Sequence, residues 1–350
     1  MVLALAPITR VLSFWSEGQI LNPLVKSFLG AVNWVGKRLA NQARIWAWVS
    51  LASEILIVVT GGVVRLTGSG LGCTDWPECT TGHFTTTPAQ GIHGAIEFGN
   101  RALTGVLILI AIATLLAVRG AALRSATRMA WILIAGIAVQ AVVGGVTVWI
   151  KLIPWLVGVH FVLSAIMIIL SCLLVWRVYQ PEHRTMPQLA YRLATPLVWV
   201  GGLAVFIGVL TTGSGPHAGD ANSVRNGLSF ELLESVHSVP AYVLLAIEVV
   251  IFTVLLRHDL RRQPRENRIA TKVSGALLLL TIAQATLGVF QSYVIEPAVP
   301  ALLVGFHMFG AASLIALLSF TWLTVHGKNL DAAAHTPSNA ATNSASSSAI

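Results

Sequence analysis

The sequence predicts an all-α polytopic membrane protein with eight transmembrane helices, arranged as two pseudo-symmetric four-helix bundles. Three observations carry this expectation. Hydrophobic residues make up 55% of the 350 and charged residues only 10%, a balance that excludes a soluble domain. Apolar runs of about 18 residues or more, each enough for a membrane span, recur along the chain. A pattern also occurs twice: Gln140-Ala-Val-Val-Gly144 leads to Gly158-Val-His160, and Gln284-Ala-Thr-Leu-Gly288 leads to Gly305-Phe-His307. The copies sit about 145 residues apart, so each half of the chain carries its own intramembrane histidine.

The elements follow in order. Residues 1–44 form an N-terminal segment without a short apolar core and small-residue cleavage site, so no cleavable signal peptide is expected. Within it Val25, Phe28, Leu29, Val32 and Val35 fall near helical spacing beside Lys26, Lys37 and Arg38. That pattern fits a helix lying on the membrane surface as well as it fits a loose tail. Spans are expected near 46–66, 91–118, 129–150 and 155–176, giving a first half over 45–176. After a linker over 177–192, spans near 193–213, 231–256, 270–291 and 300–325 give a second half over 193–325. Residues 326–350 form a tail, rich from Asp331 onward in Ala, Ser, Thr and Asn and expected to be disordered.

The net charge of +8 invites a nucleic-acid reading, but the placement of the charges is topological. With an inner N-terminus, 18 Lys and Arg residues fall in inner segments and three (Arg65, Lys151 and Arg225) in outer ones. Arg101 is left inside a span. The asymmetry places both termini in the cytoplasm by the positive-inside rule.

An outer loop over 67–90 contains Thr67-Gly-Ser-Gly-Leu-Gly-Cys73-Thr-Asp-Trp-Pro-Glu-Cys79. Cys73 and Cys79 are close enough in sequence to close a tight ring in an oxidising compartment, as a structural clip or as a redox-active pair. Cys172, inside the fourth span, reads as a small core residue.

Ten histidines are present. His83, His183, His217, His258 and His326 fall in loops or at span ends, where solvation is the expectation, and His335 lies in the tail. The other four open or occupy spans: His93, His160, His237 and His307. His160 and His307 each follow a glycine two positions earlier, which would let a flat group approach the helix and suits a haem. Counting from Pro154 and Pro300 puts both about 10 Å into the membrane, and His237 at a similar depth. Two imidazoles at one depth on neighbouring helices would hold an iron from opposite faces, so His237 is paired with His307. In the first half His160 needs a partner on the second span. Aligning Glu97 with Glu234 puts Asn100 opposite His237, and His93 lies two turns away from Asn100. Either His93 binds a haem nearer the surface, or the iron keeps a weak or open position facing Asn100. Glu97 is a carboxylate inside a span, explained either by an i,i+4 pair with Arg101 or by a role as general base or proton relay. Arg65 and Arg101 are candidates for haem propionates, with snorkelling as the plainer account.

These residues resemble the haem A synthase family over about 45–325. The resemblance rests on Thr60-Gly-Gly-Val-Val-Arg65-Leu-Thr-Gly-Ser-Gly, Cys73, Trp76-Pro77-Glu78-Cys79, Ile96-Glu97-Phe98, the Gln-Ala-x-x-Gly repeats, and His160, His237 and His307. It implies two four-helix halves, the second binding haem b and the first oxidising the ring methyl of haem O to the formyl of haem A for terminal oxidase assembly. It implies that His237 and His307 are axial ligands of haem b, that His160 belongs to the substrate haem, that Glu97 is catalytic, and that Cys73 and Cys79 are the family's outer-loop pair. The family's Glu-x-x-His-Arg reads Glu97-Phe-Gly-Asn100-Arg101 here, which leaves His93 and Asn100 as rivals for the second substrate ligand. The loop over 213–230 has no cysteine pair.

The implied setting is a bacterial cytoplasmic membrane with haem sites toward the outer leaflet. Implied partners are haem O synthase, terminal oxidase subunits and a further electron donor or acceptor, with no nucleic acid. Competing readings are a dihaem b-type electron carrier, which needs two equivalent bis-histidine sites, and a haem transfer protein. A prenyltransferase is disfavoured because paired aspartate-rich motifs are lacking.

Overall fold

The computed structural model describes residues 23–181, 185–217, 219–220, 222–261, 268–293 and 300–334. Arg10, His183, Arg184, Arg262, Arg265 and His335, used above in the topology and histidine readings, lie outside them. The long elements among the described residues are helices, with α1 over Pro23–Leu39, α2 over Ala43–Leu66, α3 over Gly91–Gly120, α4 over Arg124–Trp149 and α5 over Pro154–Tyr179. The second half contributes α6 over Gln188–Ser214, α7 over Phe230–Leu260, α8 over Ile269–Tyr293 and α9 over Ala301–Ala334. Eight of these helices are long and apolar enough to cross a membrane, and each expected span lies within one of them to within a residue.

Local chemistry sets the ends. Pro154 opens α5, where its missing N–H costs nothing. Ser229 caps α7 by accepting the Leu232 N–H at 3.2 Å. Gln180 closes α5 in the left-handed region. The helix α9 runs on to Ala334, past the end of its apolar stretch.

Helices α2, α3, α4 and α5 pack in a closed ring, each against the next and α5 back against α2. Helices α6, α7, α8 and α9 close a second ring in the same order. The rings meet where α9 packs on α2 and α5, and where α5 packs on α6. Apolar surface is plentiful on every face, so it is small residues that decide which faces close up. Gly62 of α2 sits under Met308, and Gly201 of α6 under Leu318. The outward faces keep Leu109, Trp199, Leu279 and Leu302 exposed, as a lipid-facing surface would. Helix α1 packs on α3, where Gly36 and Gly120 meet backbone to backbone, and exposes Val25, Phe28, Leu29 and Trp34.

One histidine differs from expectation. His326 is not solvated: it is buried on α9, stacked on Trp322 at 4.9 Å with Tyr191 of α6 at 4.2 Å. The turn of α9 that carries it packs on Tyr191 of α6, with Gly327 against Trp176 of α5, so a place just past the expected span does not leave it in solvent.

Candidate functional site

The second ring brings two imidazoles together. His237 and His307 stand about two turns into α7 and α9 from the end that carries the long loops. Their ring centres are 6.3 Å apart and their planes lie at 76°. Space is kept around them by glycine. A Cβ on Gly208 of α6 would stand 3.0 Å from Cε1 of His237, and one on Gly288 of α8 would stand 3.8 Å from Cε1 of His307. Gln284, the first residue of the repeated motif, lies so close over Gly310 that any side chain there would collide with its amide. The motif therefore spaces two helices: its glutamine covers a helix backbone and its glycine faces a histidine. A metal–imidazole bond is about 2 Å, which puts a metal roughly 3 Å from each ring centre. Two rings 6.3 Å apart are thus spaced to hold one metal ion between them.

In the first ring the same motif acts the same way. Gly144 of α4 faces His160 of α5, with 3.4 Å from a Cβ there to Cε1. Gln140 donates to the Ser164 hydroxyl at 2.6 Å and to the His160 carbonyl at 3.3 Å. His160 is part-buried with its Nδ1 unpartnered, and no second imidazole ring lies against it among the described residues. Asn100 of α3 has a buried, unpartnered Oδ1, a polar group left without a protein partner. His93 is exposed at the start of α3, its Nδ1 held by the Ser69 hydroxyl at 2.9 Å, with Ser69 in turn bonded to Thr67 at 2.8 Å.

The outer loop is fastened over this ring. Cys73 and Cys79 form a disulfide and both are fully buried. The Trp76–Pro77 peptide is cis. Glu97, 5% exposed, accepts the Cys73 N–H at 2.6 Å through Oε2 and the Arg101 guanidinium at 2.6 Å through Oε1. Arg101 also donates to the carbonyls of Asp75 at 2.8 Å and Glu78 at 3.0 Å. Glu97 and Arg101 thus bind the two sides of the disulfide ring. The indole of Trp76 lies on Gly145, beside the glycine that faces His160, and packs edge-on to Trp149 at 5.5 Å. Arg65 serves the other ring, donating to the carbonyls of Thr212 and His217, each at 2.7 Å. Both arginines considered for propionates are therefore engaged by backbone carbonyls, Arg101 by those of the outer loop and Arg65 by His217 and the last turn of α6. Cys172 is buried between α5 and α9, its thiol 3.8 Å from the Ala316 carbonyl.

Two membrane-embedded carboxylates escaped the sequence reading. Glu54 of α2 is 6% exposed and Glu248 of α7 is 1% exposed. Each occupies a position in the inward stripe of its helix that is otherwise filled by apolar or small residues. Their signal was present in the sequence, as lone acidic residues inside apolar runs.

Comparison with known proteins agrees with this architecture. Residues 44–226 match the family model COX15-CtaA, described as cytochrome oxidase assembly protein. The chain is 30% identical over 164 residues to a heme A synthase of Exiguobacterium sibiricum, covering 44% of this chain and 54% of that protein. It is 30% identical over 140 residues to a heme A synthase of Geobacillus thermodenitrificans, covering 39% of this chain and 43% of that protein. The matched part of this chain thus spans about half the length of these relatives. With the family model matched over more than half of its residues, the chain belongs to the haem A synthase family of cytochrome oxidase assembly proteins.

Proposed function

We propose that this protein oxidises the ring methyl group of haem O to the formyl group of haem A, with substrate in the first ring and a resident haem b in the second. The observation that carries the reading is an asymmetry: imidazoles face one another at 6.3 Å in the second ring, while His160 in the first faces no other imidazole among the described residues. His237 and His307 would hold the haem b iron, and Gly208 and Gly288 leave room beside the ligands for a flat macrocycle. When bound, haem b supplies one-electron redox chemistry, the capacity needed to carry off electrons from an alkyl oxidation.

In the first ring, His160 is the substrate ligand, and Asn100 or His93 completes or closes off the opposite side. Asn100 is favoured by its unpartnered buried oxygen, whereas His93 sits exposed at the helix start. A weakly held iron suits a substrate that must leave as product. Glu97 is the proton acceptor of the reaction, its carboxylate oriented by the Cys73 N–H and Arg101. The Cys73–Cys79 loop, seated by Trp76 on Gly145, covers the site and excludes water from it.

The basic residues of the loops at the opposite end favour a bacterial cytoplasmic membrane with that end and both termini inside, and the haem sites toward the outer leaflet. Haem O synthase would supply the substrate and terminal oxidase subunits would receive the product. The test is mass spectrometry of haems extracted from cells that make haem O, with and without this protein. New haem A or its hydroxymethyl precursor is the expected result. Haem O unchanged beside protein-bound haem B would instead support a membrane electron carrier.

A further inference from the structure

Glu248 is, among the described residues, the most deeply buried carboxylate of the second ring, and the oxidation reaction above leaves it without a role. It lies on α7 in the stripe Pro240, Leu244, Glu248, Ile251, Leu255, every other member of which is apolar and buried. Its Oε1 accepts the Thr281 hydroxyl of α8 at 2.9 Å, and its Oε2 is buried with no partner. An acidic group so placed in a membrane span is costly to keep and marks a functional position.

Its neighbours form a directed series. On α8, Ser274, Thr281 and Gly288 recur at intervals of seven and so share one face. Gly288 on that face meets His307, and Thr281 meets Glu248. At the basic end of the same seam, Thr271 donates to Asp259 at 2.6 Å, and the Asp259 side chain is 19% exposed. Polar groups thus stand on this face at Thr271 and buried Ser274 near that end and at Thr281 and Glu248 further in, with buried Leu277 between Ser274 and Thr281. Glu248 itself stands three turns, about 16 Å, from His237 along α7. No other titratable side chain stands at its depth on the two helices packed against α7. Those of α6 are Tyr191 and Arg192 in its first turns, and those of α8 are Lys272 in its first turn and Tyr293 at its end. On α7 itself, Tyr242 is exposed on the outward face, and the remaining groups lie in the end turns or beside His237.

We propose that Glu248 is a redox-linked proton site: it binds one proton from the basic end of the membrane when the group held by His237 and His307 gains one electron, and releases it by the same route on reoxidation. The O–H bond of Glu248 is the only bond made or broken, and the added negative charge is matched by the added proton. The electron comes from the substrate in turnover, or from a chemical reductant such as dithionite in the test. This inference rests on the second ring holding a bis-histidine haem.

The experiment is a potentiometric titration of the purified haem-loaded protein at a series of pH values, for the natural chain and for Glu248→Gln. The natural chain should show a bis-histidine spectrum and a midpoint potential that falls as pH rises. Glu248→Gln should keep the spectrum and lose most of that slope. Thr281→Val keeps the carboxyl and should keep a slope, displaced along the pH axis. A slope unchanged in Glu248→Gln, or absent from the natural chain, overturns the proposal while leaving the haem assignment standing. Absence of a bis-histidine spectrum from the natural chain overturns the haem assignment, and this proposal with it. Should the Gln variant not assemble, reduction-induced infrared difference spectra of the natural chain decide. A protonated-carboxyl band that appears on reduction and shifts in heavy water supports the proposal, and its absence refutes it.

Discussion

At the scale of single residues, the sharpest question concerns Glu97, because it bonds the disulfide loop and is also the proposed proton acceptor. Glu97→Gln keeps size and one acceptor oxygen but removes the charge. We expect it to abolish haem A formation while leaving the haem b spectrum intact, measured by haem extraction and by difference spectroscopy. Arg101→Met removes the donor to Glu97 and to the carbonyls of Asp75 and Glu78, and leaves a buried charge unpaired. Its cost should be on the order of 3 kcal/mol, seen as a lower unfolding temperature and faster reduction of Cys73–Cys79 by an added phosphine. Equal partial losses of activity in the two variants would reduce Glu97 to a strap for the loop. His307→Ala should eliminate the bis-histidine spectrum, and retention of that spectrum would undo the pairing with His237. The sequence made His160, His237 and His307 legible because polar rings are rare in apolar runs and the repeat placed two of them in equivalent positions. It could not show that Arg101 would bond the loop carbonyls of Asp75 and Glu78 as well as its i,i+4 neighbour Glu97, because those carbonyls lie 26 and 23 residues away in the chain and only the fold brings them to the guanidinium.

At the scale of elements, the helices were readable and the loops were not. Eight apolar stretches of sufficient length leave little freedom, since the backbone inside a bilayer must satisfy its own hydrogen bonds. The loop over 67–90 follows no such rule. Its cysteines could be matched by spacing, but its seat is set by Trp76 finding the gap at Gly145 and by Glu97 capturing the Cys73 N–H. Burial near a helix end is likewise set by packing rather than composition, as for His326 between Tyr191 and Trp322. Gly145 supplies the test at this scale. Gly145→Leu would place a branched side chain where the indole of Trp76 lies, so the loop must lift or the helix shift, at a cost of about 1–3 kcal/mol. We expect Trp76 to become accessible, measured by fluorescence quenching with a soluble quencher, and haem A formation to fall while haem b remains bound. Unchanged quenching would mean that the loop has a second seat.

At the scale of the whole molecule, two rings built from the same motif differ where chemistry is required. Both have a glutamine that spaces the helices and a glycine that faces a histidine, but among the described residues the second ring alone sets another imidazole opposite. The shared motif accounts for the likeness, and under the proposed function a resident cofactor in one ring and an exchangeable substrate in the other would account for the difference. On that proposal a ring that closes on its haem from both sides would keep it, whereas a ring with one histidine and Asn100 would let a haem enter and leave. The shared boundary of α2, α5, α6 and α9 holds the two rings as neighbours, which suits electron passage between them. This predicts a stoichiometry. Protein purified from cells that make haem B but no haem O should carry one tightly bound haem per chain, with a bis-histidine spectrum. From cells that make haem O it should carry that haem plus a second, extractable as haem O or haem A and lost on extended washing with detergent. Asn100→His should convert the weak position into a strong one, raising retention of the second haem while slowing release of product, as measured by haem content and turnover. Two equivalent haem B groups per chain in the natural protein, both with bis-histidine spectra, would contradict the asymmetry on which the enzyme reading stands, and would make electron transfer the better account of the molecule.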